Sequence, residues 1–421
     1  MPTRTIRLRL TIAVLALSLL AACGRASDAE SATQGFTDET IVLGANAPLS
    51  GPASGFAAVN YGARAYFSYL NDTQGGVTMA DGKKRTITYI VHDDGYDPAR
   101  ASGVVKRLVE QDGVAALVQP FGTDPTLATR QYLNDHKVPQ IFVQSTNPKF
   151  NLERDTYPYS MTGSPSSVVE AAVLAKHAIT ERPTAKIGIL RANDEGGQAY
   201  VGAFKKALKG SNAEVVEEQS YATTDASIDS QISILASSGA DVFANFGTPK
   251  FAALAISRAP ELGWKPMILL PSQASSVKAV LEPAGLNNAK GAITVGWFKD
   301  PTDPTWADDE SMRTFREAMK KYEPRANADD AFAVAGWAVA DSFVKMLATT
   351  EPSREALREA VGKLNGQTSE MLLPGIEFHT SESDGFGLES LWIQEFNGEH
   401  YRFVGDQPIS LEGESASFVG E

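Results

Sequence analysis

The chain holds one cysteine, Cys23, so no internal disulfide can staple it and its stability must come from core packing. Positive charge is scarce: 38 Lys and Arg stand against 51 Asp and Glu, a net charge of −13 with His neutral. That balance argues against nucleic-acid binding, which needs basic patches, and equally against adsorption to anionic lipid. Beyond residue 22 no apolar run is long enough to span a bilayer. No Gly-x-Gly-x-x-Gly opens the first strand–helix turn, no phosphate loop ends in Gly-Lys-Ser/Thr, and no Gly-x-Ser-x-Gly elbow occurs. The signatures of dinucleotide enzymes, P-loop NTPases and serine hydrolases are therefore missing. The five histidines, His92, His136, His177, His379 and His400, are scattered, none at metal-ligand spacing. Two acid runs remain. Asp93-Asp94 falls at a strand end before a capped helix, and Asp308-Asp309-Glu310 falls on an expected solvent face. No catalytic residue, metal or cofactor is expected.

What is present begins with the first residues. Arg4, Arg7 and Arg9 form a basic segment, and an uncharged, mostly apolar run follows over 10–22. The run is too short for a permanent span and fits a signal-peptide core. It ends in Leu20-Ala21-Ala22-Cys23, which resembles a bacterial lipobox. The resemblance implies a signal peptide over 1–22, cleavage before Cys23 and lipidation of Cys23. Small and polar residues then read as a flexible tether over 23–37. The expected location is outside the cytoplasm, anchored to a cell membrane by lipid alone and facing periplasm or exterior.

From Thr40 the chain alternates short apolar runs with amphipathic stretches. Strands are expected at 41–45, 86–91, 114–118 and 139–143, with helices at 61–71, 98–110 and 125–136 between or after them. The pattern restarts at 168, with strands at 187–190, 215–216, 242–243 and 267–270 and helices between them. Helices near 305–322, 331–349 and 353–364 follow, then strand-like runs at 391–393 and 401–403. Alternating strands and helices predict parallel sheets covered on both faces, and two such units predict two lobes. Asp97-Pro98, Asp124-Pro125, Ser164-Pro165 and Thr248-Pro249 each pair an N-cap residue with a proline suited to the first helical position. At 98, 125 and 249 a strand-like run comes shortly before, so those helices aim their N-termini at the carboxyl edge of the sheet, where open α/β sheets bind ligands and where an anion is favoured. Plain capping is the ordinary explanation of any single pair; an anionic ligand requires at least one of them to do more.

These segments also resemble the periplasmic branched-chain amino acid binding proteins, the substrate-binding lipoproteins of ABC importers. The likeness rests on Gly44-Ala45-Asn46-Ala47-Pro48-Leu49-Ser50-Gly51-Pro52 and Asp93-Asp94-Gly95-Tyr96-Asp97-Pro98. It continues through Val138-Pro139-Gln140-Ile141, Ser145-Thr146-Asn147-Pro148, Tyr157-Pro158-Tyr159 and Glu261-Leu262-Gly263-Trp264. The ordered set spans nearly the whole chain after Cys23. It implies a type I periplasmic-binding-protein fold: two doubly wound, parallel-sheet α/β lobes joined by hinge strands, with the ligand in the cleft. By the likeness, lobe 1 covers 38–163 plus 297–388, lobe 2 covers 164–296 plus 389–405, and 406–421 is a C-terminal tail. The implied partners are a small-molecule carboxylate and the permease subunits of an ABC importer, with a monomer as the family's usual state.

The resemblance also implies site residues. In lobe 1 the ligand carboxylate would meet hydroxyls and amides at Gly122-Thr123-Asp124 and Gln144-Ser145-Thr146, and Phe56 would face the ligand side chain. In lobe 2 the corresponding positions are Asn193, Gly196, Thr248 and Gln273. This lobe departs from the amino-acid binders, since Gly196 stands where they carry a tyrosine and Phe246-Gly247-Thr248 where they carry a second. Leu270-Pro271-Ser272-Gln273 also lacks the acid that pairs with a ligand ammonium. Either Asp194 or Glu195 supplies that charge, or the ligand has no ammonium, and the second option is favoured here. The open space points to a larger ligand, such as an aromatic carboxylate. A ligand-sensing ectodomain of the same fold and an α/β hydrolase or dehydrogenase are the competing classes. Turnover of a candidate substrate would mark the latter.

Overall fold

The computed structural model describes residues 33–420. The expected signal peptide and the lipidation at Cys23 lie outside the described residues. No helix among the described residues is long and apolar enough to cross a membrane.

The first sheet contains β1 (Thr40–Ala47), β2 (Val77–Thr78), β3 (Lys84–Asp93), β4 (Ala116–Val118), β5 (Gln140–Val143) and β6 (Ser160–Thr162), in the order β2-β3-β1-β4-β5-β6. All its pairings are parallel except β2 with β3. β4 and β5 are buried along their whole length, as expected for strands covered on both faces. The second sheet contains β7 (Lys186–Ala192), β8 (Glu214–Tyr221), β9 (Val242–Phe246), β10 (Met267–Leu270) and β11 (Ile293–Gly296). A two-stranded sheet of β12 (Asn365–Gln367) and β13 (Phe378–His379) comes between these and the last strands, β14 (Ser390–Phe396) and β15 (Tyr401–Ser410). The second sheet runs β15-β14-β11-β10-β9-β7-β8, parallel apart from the antiparallel pairings of β14 with β11 and β15 with β14. Two α/β lobes of the expected class result.

The chain passes between the lobes three times: after β6, after β11 and between β13 and β14. After the second crossing, helices Glu310–Tyr322 and Ala331–Leu347 pack against helix Ala58–Gln74 of the first lobe. Helix Arg354–Val361 is pinned there by the Arg354 guanidinium, which donates to the carbonyls of Ala115 at 3.1 Å and Val114 at 2.7 Å.

Several expectations shift. Packing begins before residue 38, inside the expected tether: the Gln34 amide donates to Val109 O at 3.1 Å, and Phe36 bridges Ile41. β15 continues to Ser410, beyond the expected lobe boundary at 405, because it stays paired with β14. Asp97 caps its helix as expected, accepting from the amides of Ala99 and Arg100. Asp124 does not cap, because helix Thr123–Asp135 starts earlier, on Gly122. Ser164 does not cap either; Ser166 does, accepting from Val168 N. Thr248 holds the N-cap position of helix Pro249–Glu261, but its side chain makes no capping bond. Asp309 is not an idle surface acid: it caps helix Glu310–Tyr322 and pairs with Lys299 at 2.7 Å.

Candidate functional site

Strand order reverses beside β1 in the first sheet and between β7 and β9 in the second. The carboxyl ends of strands at such switch points leave a crevice that helices cannot cover. In both lobes the loops leaving those ends face one another, and between them lies a cavity of 390 Å³. That volume falls in the range of small-molecule sites.

The first-lobe wall is built from the loops after β1, β4 and β5. Gly122 has φ 98, a conformation that suits glycine, and a Cβ there would lie 2.6 Å from the Tyr96 ring. This glycine lets helix Thr123–Asp135 start at the cavity, where its amides and positive dipole end favour an anion. Thr123 Oγ1 and Ser145 Oγ share a hydrogen bond of 2.8 Å, and Ser145 Oγ also accepts from Asn147 N at 3.2 Å. Gln144 and Thr146 complete this polar wall. The Gln144 side chain is also tied into the loop, donating to Phe142 O at 3.1 Å and accepting from Ser164 Oγ at 3.0 Å.

An aromatic surface adjoins it. Phe56 stacks on Phe121 with centroids 4.8 Å apart and meets Phe332 edge-on at 5.2 Å. Trp297 and Phe298, on the second crossing, extend the same lining. Flat apolar faces beside a polar wall suit a carboxylate with a hydrophobic body.

The second-lobe wall is formed by Gly196, Gly197, Tyr200, Phe246, Thr248, Ser272 and Gln273. Tyr200 lies flat on Phe246 at 5.2 Å, and its phenol donates to Glu170 at 2.9 Å. Tyr221 supports Thr248 from behind, its phenol oxygen accepting from Thr248 N at 2.8 Å. Among the described residues lining the cavity none is Lys, Arg or His, whereas Asp124, Asp194 and Glu195 are present. Partial burial raises the Asp124 carboxyl above its usual range, and the negative charges of Asp194 and Glu195 add to the shift. Lys149 opposes it and pairs with Glu195 across the two lobes at 2.8 Å.

Phe56, Thr123, Gln144, Ser145, Thr146, Gly196, Thr248 and Gln273 thus lie together on one lining. Asn193 does not: it is exposed in the bend after β7, where its backbone N donates to Tyr221 O at 2.8 Å. Sequence reasoning missed Phe121, Tyr200, Trp297, Phe298 and Phe332. Tyr200 had a signal, since it follows Gly196 by one helical turn and so shares its face. Glu170 was missed as well. Its signal was a single acid within the apolar run Val168-Val169-Glu170-Ala171-Ala172-Val173.

Comparison with known proteins agrees with this geometry. No curated protein is matched by sequence. Among solved structures, a fatty acid ABC transporter substrate-binding protein from Thermomonospora curvata superposes with a TM-score of 0.74 at 22% identity, over 92% of this chain and 96% of that one. A branched chain amino acid ABC transporter from Thermus thermophilus with bound valine gives 0.74 at 18% identity, over 91% and 98%. The branched-chain amino acid transporter substrate binding protein LivJ from Streptococcus pneumoniae, in complex with isoleucine, gives 0.70 at 15% identity, over 88% and 100%. These likenesses establish the type I two-lobed fold. A family model described as "Periplasmic binding protein" matches residues 40–400. With the match running from the first strand to the start of the last, the chain belongs to the periplasmic binding protein family.

Proposed function

We propose that this protein is the extracytoplasmic solute-binding component of an ABC importer, lipid-anchored through Cys23, which takes up a small carboxylate by lobe closure and releases it unchanged. The observation that carries the reading is the 390 Å³ cavity between the two sheets, with hydroxyls and a helix N-terminus on one wall and aromatic faces beside it. A carboxylate held by several such donors needs no arginine, because bonds to an ionised acceptor are about twice as strong as neutral ones. Thr123 and Thr146 are the proposed carboxylate donors, with Ser145 hydrogen-bonded to Thr123 on the same wall. Phe56, Phe121 and Phe332 would take the apolar body. Gly196, Thr248 and Gln273 would close over it from the second lobe. The reading assigns no catalytic role to any residue.

The ligand classes that fit are a branched-chain or other amino acid and an aromatic carboxylate. The related structure holding valine is in keeping with the first class, and another, named for a fatty acid, is in keeping with a carboxylate on a larger apolar body. Affinity near micromolar, about −8 kcal/mol, is reachable for a ligand of this size. Isothermal titration with leucine, isoleucine, valine, phenylalanine, benzoate, hydroxycinnamates and a medium-chain fatty acid tests the proposal, with each ligand re-assayed by chromatography afterwards. Saturable one-to-one binding with the ligand recovered intact is expected. Failure of every acid to bind, or steady consumption of one that does, overturns it.

A further inference from the structure

Glu170 is not in the cavity lining; it stands directly behind it and is 0% exposed. It belongs to the first turn of helix Ser167–Glu181, the first element after the chain enters the second lobe. Glu170 Oε2 accepts from Tyr200 Oη at 2.9 Å and from the Ser272 backbone N at 3.1 Å, while Oε1 accepts from Ser272 Oγ. Tyr200 and Ser272 both line the cavity. One buried carboxylate therefore joins helix Glu195–Leu208 and the loop after β10 at the wall a ligand would touch.

The direction of these bonds has a consequence. A hydroxyl has one proton, and once that proton is committed to a carboxylate only lone pairs remain for other partners. With Glu170 ionised, Tyr200 Oη and Ser272 Oγ meet the cavity as acceptors. The cavity is thus asymmetric, with donors on the first lobe and acceptors on the second.

We propose that Glu170 is a positioning residue that fixes the second-lobe wall as a hydrogen-bond acceptor, and so selects carboxylates that present an N–H or O–H donor toward Tyr200 and Ser272. The inference rests on the carboxylate-binding reading of the site. It replaces the sequence-based preference for a ligand without an ammonium: the acid missing from Leu270-Pro271-Ser272-Gln273 stands behind that loop, on another helix. Burial pushes Glu170 up to about 7, against the bonds from Ser272 and Tyr200 that favour the ionised form. Tyr200 is the titratable group facing it, and burial and the Glu170 charge hold that phenol protonated. A donor bound on the far side of the two hydroxyls strengthens both bonds and favours ionisation further.

The test compares acids that share a carbon skeleton and differ in the donor: leucine with 4-methylpentanoate, and phenylalanine with 3-phenylpropanoate. Titration calorimetry gives the affinity ratio within each pair. The wild-type protein is expected to favour the donor-bearing member by about tenfold or more. In Glu170→Gln the amide oxygen must stay with Ser272 N, which can only donate. The amide NH₂ then meets Ser272 Oγ and turns that hydroxyl's proton toward the cavity. The ratio should fall by about fivefold or more, with affinity for the donorless acid kept or raised. A merely structural role would weaken both members alike, and an unchanged ratio overturns the inference. If Glu170→Gln folds poorly, Tyr200→Phe deletes one acceptor without touching the acid, and the same fall in ratio is expected. Wild-type indifference to the donor overturns the inference while leaving the carboxylate reading intact. No binding of any of the four acids overturns both.

Discussion

A neutral hydroxyl earns a place in an anion site only if its proton points at the anion. Thr146→Val keeps the shape of the first-lobe wall and deletes one such proton. Binding of the preferred acid should weaken by about 1–3 kcal/mol, read by titration calorimetry, with the melting temperature little changed. Unaltered affinity would remove Thr146 from the carboxylate site. Glu170 gives a second residue-scale expectation, in stability alone. Its folded pKa, about 7, lies above the ordinary 4.5. The folded protein therefore holds an extra proton between those values, and stability falls as pH rises through that window. Glu170→Gln lacks the titration. The melting temperature of the variant relative to wild type should rise as pH goes from about 5 to about 8. Glu389, also pushed up to about 7 by burial, is common to both proteins and cancels. A flat difference across that range would mean that Glu170 does not titrate there. Thr123, Ser145 and Thr146 were legible because strand-end loops keep their place when the strands are recognised. Tyr200, Phe332 and Glu170 were not, because which face of a helix meets the cleft is set by how the helix docks, and periodicity alone does not say so.

At the scale of elements, β1, β3, β4, β5, β7, β9, β10 and β14 were legible to within a few residues because each holds a short apolar run, whereas β8 runs on to Tyr221 through polar residues and β2, β6, β11, β12 and β13 were not expected. Helix starts were less legible. Asp124-Pro125 has the composition of a cap, yet Gly122, by adopting φ 98, begins the helix earlier and places Asp124 inside the first turn. Ser164-Pro165 lost its cap to Ser166, whose side chain accepts from Val168 N. The C-terminal helices were placed correctly in the sequence, but their packing was invisible to it. Helix Ala331–Leu347, which carries Phe332 and Ala335 to the cavity, rests on helix Ala58–Gln74 at a glycine contact. A Cβ added at Gly336 would stand 1.8 Å from Val59 O, so the helices must separate to admit one. Gly336→Ala should cost about 1–3 kcal/mol or more in denaturant unfolding. It should also weaken ligand binding, because Val59 and Phe332 line the same cavity. A stable, fully binding Gly336→Ala protein would contradict the close packing of these helices.

The whole molecule is two α/β lobes connected by three crossings, an arrangement suited to rotation of one lobe on the other. The two lobes were legible from the restart of the strand–helix pattern. The extension of β15 to Ser410 was not, since a strand edge is defined by its partner as much as by its own residues. Across the cleft, Lys149 and Glu195 form an ion pair of 2.8 Å with both side chains partly in water. Such a pair contributes at most about 1 kcal/mol. Ligand-induced closure should therefore survive Lys149→Ala, with affinity reduced by about fivefold or less. Small-angle scattering with and without a bound acid checks this: the radius of gyration should fall on binding in both proteins. A radius indifferent to ligand in the wild type would argue against closure.

Native mass spectrometry of the purified protein, after exposure to the acid panel, goes most directly to whether the cleft holds a small acid and returns it unchanged. One acid per chain is expected, with the intact mass of the acid recovered when the protein is unfolded. A spectrum without any adduct across the panel, or recovery of a chemically altered molecule, would contradict a binding protein of this kind.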